Sequence, residues 1–196
     1  MGYEVKQEEW LLFKKMSALF RTEKQPQEQQ STTVVADEVQ PSISDEILLS
    51  PMIGQLIPLS DVKDPAFAMG AMGDGIAIEP MEGKVLSPVD GVIMNTPKSK
   101  HSLFINSKNG AEILIHVGID TVKLKGEHFN VLVHVGQQIK AGDLLIEFDL
   151  NMIKQSGYEV TTPIIITNSS NYSQIEKNEY KKVIIGEQIL QLHAEV

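Results

Sequence analysis

The sequence predicts a mainly β protein, an antiparallel sandwich or barrel, preceded by a short helix and a polar linker. Three observations carry that expectation. From Leu48 onward, short apolar runs recur between turns rich in Gly and Pro, among them LLSPMIGQLIPL, GDGIAIEP, GKVLSPVDGVIM, TTPIIITN and KKVIIGEQILQL. Helical candidates inside this region are brief, Asp61 to Met69 and Leu150 to Gln155. Between two of the apolar runs stands Asn109-Gly110, the strongest short-range signal for a tight hairpin.

In chain order, residues 1–21 come first and hold a helical pattern. In EEWLLFKKMSALF, Trp10, Phe13 and Phe20 share a broad face with Leu12, Met16 and Leu19, and Lys14, Lys15 and Arg21 lie mostly opposite. Such a helix suits a membrane surface as well as a partner's groove. Residues 22–46 are rich in Gln, Ser, Thr and Pro, with one apolar pair, Val34-Val35, and read as a flexible linker. Residues 47–196 then form the β domain. Within it, SPVDGVI and HVGQQIKAGDLLIEF look like two copies of one device, a Gly turn between short strands. The second reads like the hammerhead turn of biotinyl and lipoyl carrier domains, but no lysine flanked by methionines is present.

The hairpin HSLFINSKNGAEILIHVG carries His101 and His116. A two-residue loop at Asn109-Gly110, or a four-residue loop over Ser107-Lys108-Asn109-Gly110, puts both imidazoles on one face, with Cβ atoms roughly 5 to 8 Å apart. A three-residue loop sends them to opposite faces, because a one-residue slip reverses every side chain.

Composition narrows the function classes. The 196 residues suffice for one domain with appendages or at most two small ones, and 42% hydrophobic with 22% charged residues is ordinary for a soluble globule. A net charge of −9 argues against nucleic acid. The absence of cysteine removes disulfides, thiolate metal sites and a cysteine nucleophile. No apolar run approaches the ~20 residues of a membrane span, and the N-terminus lacks a signal peptide's order. A cytoplasmic protein is expected, with the amphipathic helix as its candidate contact to the inner face of the membrane.

The run LIHVGIDTVKLKGEHF, with GDGIAIEP and SPVDGVI before it and GDLLIEFDL after it, resembles enzyme IIA of the glucose family in the bacterial phosphoenolpyruvate-dependent sugar phosphotransferase system. The likeness runs from about Leu49 to the C-terminus in the family's order and spacing. It implies a β-sandwich of the duplicated-hybrid type that accepts a phosphoryl group from phospho-HPr on a histidine. The group then passes to a cysteine on enzyme IIB, with or without the membrane component IIC; lacking cysteine, this chain does not include IIB. His116 matches the phosphorylated histidine and His101 the supporting one. Ser99 stands where the family commonly has threonine and keeps the hydroxyl that orients His101. An apolar collar and docking rim match Phe67, Met72, Leu114 and Val122, while Ala71 is smaller than the usual residue; Asp120 matches an acid of the GIDT segment. Members also dock on permeases and metabolic enzymes, which implies a regulatory role beside the carrier one.

These residue types suit phosphoryl transfer. A neutral imidazole is a good nucleophile near pH 7, provided an acceptor fixes its other nitrogen; in the family this chain resembles that acceptor is a nearby backbone carbonyl, which implies Gly118 here. An N–H of His101 would stabilise the equatorial phosphoryl oxygens, with Ser99, two residues earlier on the same strand face, holding its tautomer. No cofactor is required, though the same two rings would bind an incidental zinc completed by a partner's carboxylate. A zinc hydrolase on a related sandwich is the rival reading. Cell-wall metallopeptidases of that kind carry a His-x-His pair, missing here, and a His-x-x-x-Asp element that only His116 to Asp120 approximates. The bland alternatives are satisfied strand histidines at positions 101 and 116, and turn-forming roles for Asp120 and Thr121.

Overall fold

A computed structural model describes residues 43–195. The helix expected over residues 1–21 and most of the linker lie outside them. Residues 43–46, assigned to the linker by composition, are tied to the β domain instead: the Ser44 amide donates to the Asn109 carbonyl at 3.1 Å, and Glu46 opens the first strand.

The principal element is an eight-stranded sheet in the order β13-β2-β3-β11-β7-β6-β5-β9. Its strands are β13 (Lys182–Val183), β2 (Gly54–Ile57), β3 (Asp74–Pro80), β11 (Thr162–Ile166), β7 (Glu112–His116), β6 (Ser102–Ser107), β5 (Gly91–Asn95) and β9 (Gln138–Ile139). Two three-stranded sheets complete the fold. One joins β1 (Glu46–Leu49), β14 (Gln188–Ala194) and β12 (Tyr172–Lys177); the other joins β4 (Lys84–Leu86), β10 (Leu144–Phe148) and β8 (Phe129–Val131). Every pairing among the described strands is antiparallel. The two Gly-turn devices pack against each other: the Ser87 amide donates to the Asp143 carbonyl at 2.8 Å, the Gly142 amide returns a bond to the Ser87 carbonyl at 2.9 Å, and Asp90 accepts from the Ala141 amide.

The large sheet is covered on both faces, and its side-chain alternation sorts the core into two layers. Ile76 and Ile78 on β3, Ile113 and Ile115 on β7, and Ile164 and Ile166 on β11 point into the main core between the sheets. The residues between them, Ala77, Leu114 and Ile165, point the other way, into a smaller cluster with Leu59, Val62 and Phe67. That cluster is roofed by a 3₁₀ turn, Leu59–Asp61, and a one-turn helix, α1 (Pro65–Ala68). Asp64 caps α1, its carboxylate accepting from the Ala66 amide, and Pro65 occupies the first helical position, where a missing N–H costs nothing. The expected helix over Asp61 to Met69 is thus reduced to the single turn of α1, with a 3₁₀ turn ending at Asp61 before it. The expected one over Leu150 to Gln155 is present as α2 (Leu150–Gln155). No helix among the described residues is long and apolar enough to cross a membrane.

Candidate functional site

His116 ends β7 on the face that carries Leu114, so its ring stands at the margin of the smaller apolar layer. The hairpin leading to it closes by the three-residue loop, the register expected to send the two imidazoles to opposite faces. Asn106 pairs with Glu112 and Ser102 with His116, and the Ser107 amide donates to the Ala111 carbonyl, leaving Lys108-Asn109-Gly110 as a three-residue loop. Only Gly110 in that loop has positive φ, at 90°, as expected for a three-residue turn closed by a left-handed residue rather than a type I′ pair.

The two imidazoles meet nonetheless. Their centroids lie 4.6 Å apart with the planes at 78°, edge to face. His101 escapes the alternation because it sits just before β6, next to Lys100, whose φ of 58° turns the chain. Its backbone stays in register, the carbonyl accepting from the Val117 amide at 2.7 Å. A break in the strand, not the strand's pleat, brings the pair together.

The geometry of each ring follows from its neighbours. The Nδ1 atom of His116 lies 2.8 Å from the Gly118 carbonyl oxygen, so Nδ1 carries the proton and donates, and Nε2 is left with its lone pair. Gly118 holds this position at φ 78°; a Cβ there would lie 2.5 Å from Thr121 Cγ2 and 2.6 Å from the Glu159 carbonyl oxygen, so no other residue fits. Phe67 covers the His116 ring at a centroid distance of 5.2 Å. Burial lowers the His116 pKa below the ordinary imidazole value; the Gly118 carbonyl and the carboxylates of Asp64 and Asp120 pull in the opposite sense. His101 is only 6% exposed, and burial, aided by repulsion from His116, takes its pKa down to about 3. Both rings are therefore neutral at pH 7.

Ser99 is not on the strand beside His101. It lies in the turn before Lys100, where its backbone weakly favours the protonated form of the His101 ring against the larger effect of burial. The Nδ1 atom of His101 makes no well-formed hydrogen bond within the protein. Of the expected rim, Phe67, Met72 and Leu114 belong to the apolar layer under His116. Ala71 is exposed in the turn after α1, Val122 is half-buried in the 3₁₀ turn Thr121–Leu124, and neither joins that layer. Asp120 enters the same turn with φ 60° and pairs with Lys123 at 2.9 Å.

Asp64, whose carboxylate acts on His116, carried no expectation, although the pair Asp64-Pro65 carries a helix-start signal that could have placed it. Met69, immediately after α1, is 80% exposed. Among the described residues no group of three His, Cys, Asp or Glu side chains is placed to hold a metal ion. Nothing among the described residues thus supports the zinc hydrolase reading.

What fold and site together define is an antiparallel β-sandwich with two adjoining neutral imidazoles at the edge of an apolar patch. The chain belongs to the phosphoenolpyruvate-dependent sugar phosphotransferase system EIIA 1 family, whose model matches residues 46–172. It is 48% identical over 147 residues to the beta-glucoside-specific EIIBCA component of Halalkalibacterium halodurans, covering 75% of this chain and 23% of that protein. It is 47% identical over 133 residues to the glucose-specific EIIA component of Bacillus cereus, covering 68% of this chain and 81% of the relative. Among solved structures it is similar to the glucose permease IIA from Mycoplasma capricolum, with a TM-score of 0.71, 33% identity, and 76% and 96% of the two chains covered. The chain spans about a quarter of the length of the beta-glucoside-specific relatives it matches.

Proposed function

We propose that this chain is the phosphoryl carrier of a sugar phosphotransferase system, taking the group from phospho-HPr on Nε2 of His116 and delivering it to a cysteine of enzyme IIB. The observation that carries the reading is the Nδ1 contact of His116 with the Gly118 carbonyl at 2.8 Å, which leaves Nε2 unprotonated beside a second neutral imidazole. In the forward step the Nε2 lone pair attacks phosphorus and the bond to HPr breaks. In the second, the IIB thiolate attacks and the P–N bond breaks, returning His116 neutral. His101 is the donor to the phosphoryl oxygens: a neutral ring has one N–H, and it can be spent on charge that develops in the loose transition state. Ser99 orients His101 through its hydroxyl, which can donate to the ring nitrogen that carries no proton. Phe67, Met72, Leu114 and the exposed Met69 exclude water and form the docking rim, to which Ala71 and Val122 add area. Asp64 and Asp120 supply negative charge for basic residues of a partner. The carrier works in the cytoplasm, and no cofactor enters the chemistry.

Incubation with phosphoenolpyruvate, enzyme I and HPr tests the reading. The chain should gain an acid-labile mass of about 80 Da, and His116→Gln should gain none; label retained by that variant refutes the assignment. His101→Gln should still accept phosphate but deliver it poorly to enzyme IIB, and normal delivery would remove His101 from the transfer step.

A further inference from the structure

One peptide group, between Gly118 and Ile119, is bonded at both ends. Its carbonyl oxygen accepts from His116 Nδ1 at 2.8 Å, and its N–H donates to the Glu159 carbonyl at 3.0 Å. The side chain packed against it is Thr121, which is fully buried. The Thr121 hydroxyl donates to the Val117 carbonyl at 2.5 Å, closing the chain across Gly118, and its methyl lies against the Gly118 Cα, where an added Cβ would come within 2.5 Å. Hydroxyl and methyl thus fix the two sides of a residue that has no side chain of its own and would otherwise be the most mobile point of the loop.

We propose that Thr121 is a positioning residue for His116: by clamping the Gly118 peptide it selects the tautomer with the proton on Nδ1 and keeps Nε2 free. The selection is electrostatic. With the proton moved to Nε2, the Nδ1 lone pair would face the Gly118 oxygen at hydrogen-bond distance with nothing between them. Only a carbonyl that cannot swing away enforces that penalty, and donation by the Ile119 amide to Glu159 makes the same carbonyl a better acceptor. The turn-forming role expected of Thr121 is therefore the means by which it acts on the ring. The effect on rate rests on the carrier function proposed above, whereas the effect on the tautomer does not.

The experiment reads the imidazole nitrogens directly, by long-range proton–nitrogen correlation on labelled protein at a pH of about 8, above the ordinary imidazole value of about 6.5. Wild type should show His116 protonated at Nδ1, with a protected Ile119 amide. Thr121→Val, which keeps the shape and loses the hydroxyl, should shift His116 toward the Nε2-protonated form and slow phosphorylation by phospho-HPr about tenfold or more. Thr121→Ser, which restores the hydroxyl, should recover most of both. A Thr121→Val protein with an unchanged tautomer and rate, and only a lower melting temperature, overturns the proposal. So does a wild-type spectrum with His116 protonated at Nε2, which needs no variant to fold. A tautomer that responds as expected in a chain that takes no phosphate would instead refute the carrier reading and leave the role of Thr121 standing.

Discussion

Burial keeps both imidazoles uncharged at neutral pH, and that has a consequence for stability. The folded-state pKa of His101, about 3, lies below the 6.5 of an unfolded imidazole, and that of His116 is shifted in the same direction. Between those values the unfolded chain binds more protons than the folded one, so stability rises with pH. The contribution is complete above about pH 6.5 and is lost progressively on acidification toward pH 3. Denaturant midpoints should fall over that window, and His101→Gln should flatten the fall by an amount on the order of a few kcal/mol at its lower end. An unchanged slope in the variant would mean that the ring is already solvated. Asp64 permits a second separation at this scale. Asn caps helices as well as Asp, so Asp64→Asn should leave the melting temperature nearly unchanged while the His116 pKa falls further, because the attraction of the carboxylate is gone. Titration of the His116 ring resonances checks this. Much of this scale was legible: His116, His101 and the Gly118 acceptor follow from the IHVGID and HSLF runs. The placement of Ser99 was not, because a position two residues away shares a face only if both residues are in the strand.

At the scale of elements, the hairpin shows why register resists sequence reasoning. Asn-Gly favours a two-residue loop when both residues take positive φ, but here Asn109 does not, and its side chain instead reaches the Asp45 carbonyl at 3.2 Å. Ser107 completes the wider loop: its oxygen accepts from the Ala111 amide and its hydroxyl donates to the buried carboxylate of Glu46. These partners come from a segment sixty residues earlier, invisible to a local turn rule. The resulting register would have separated the histidines had the strand continued; the chain instead bends at His101, just after the left-handed Lys100. Lys100→Gly should preserve the meeting of the rings. Lys100→Val, β-branched at positive φ, should cost about 1–2 kcal/mol and release His101 from His116. The expected signature is loss of delivery to enzyme IIB with acceptance from HPr retained; unaltered delivery would show that the bend can re-form without the left-handed residue.

On the scale of the whole molecule, the site occupies the thin side of a sheet whose thick side supplies the stability. The many short strands were legible because Gly and Pro punctuate them. The division into two apolar layers was not, since a strand buried on both faces, such as TPIII, reads as one continuous apolar run and does not say which residue faces which layer. On β7 that division places Ile115 in the main core and its neighbour Leu114 in the small layer with Phe67. Removing each should therefore have different effects. Ile115→Ala leaves a cavity in the densely packed interior and should cost about 2–5 kcal/mol, with the His116 surroundings intact. Leu114→Ala should cost less, because a one-turn helix and a 3₁₀ turn can settle into the space, but the settling moves Phe67 off the imidazole and admits water. Phosphorylated Leu114→Ala should then lose its phosphoryl group to hydrolysis faster than wild type, while phosphorylated Ile115→Ala, measured where it is still folded, should not. Urea midpoints and the lifetimes of the two phosphoproteins measure both effects together. Equal lifetimes would show that the apolar layer around Phe67 supports the fold without shielding the phosphohistidine.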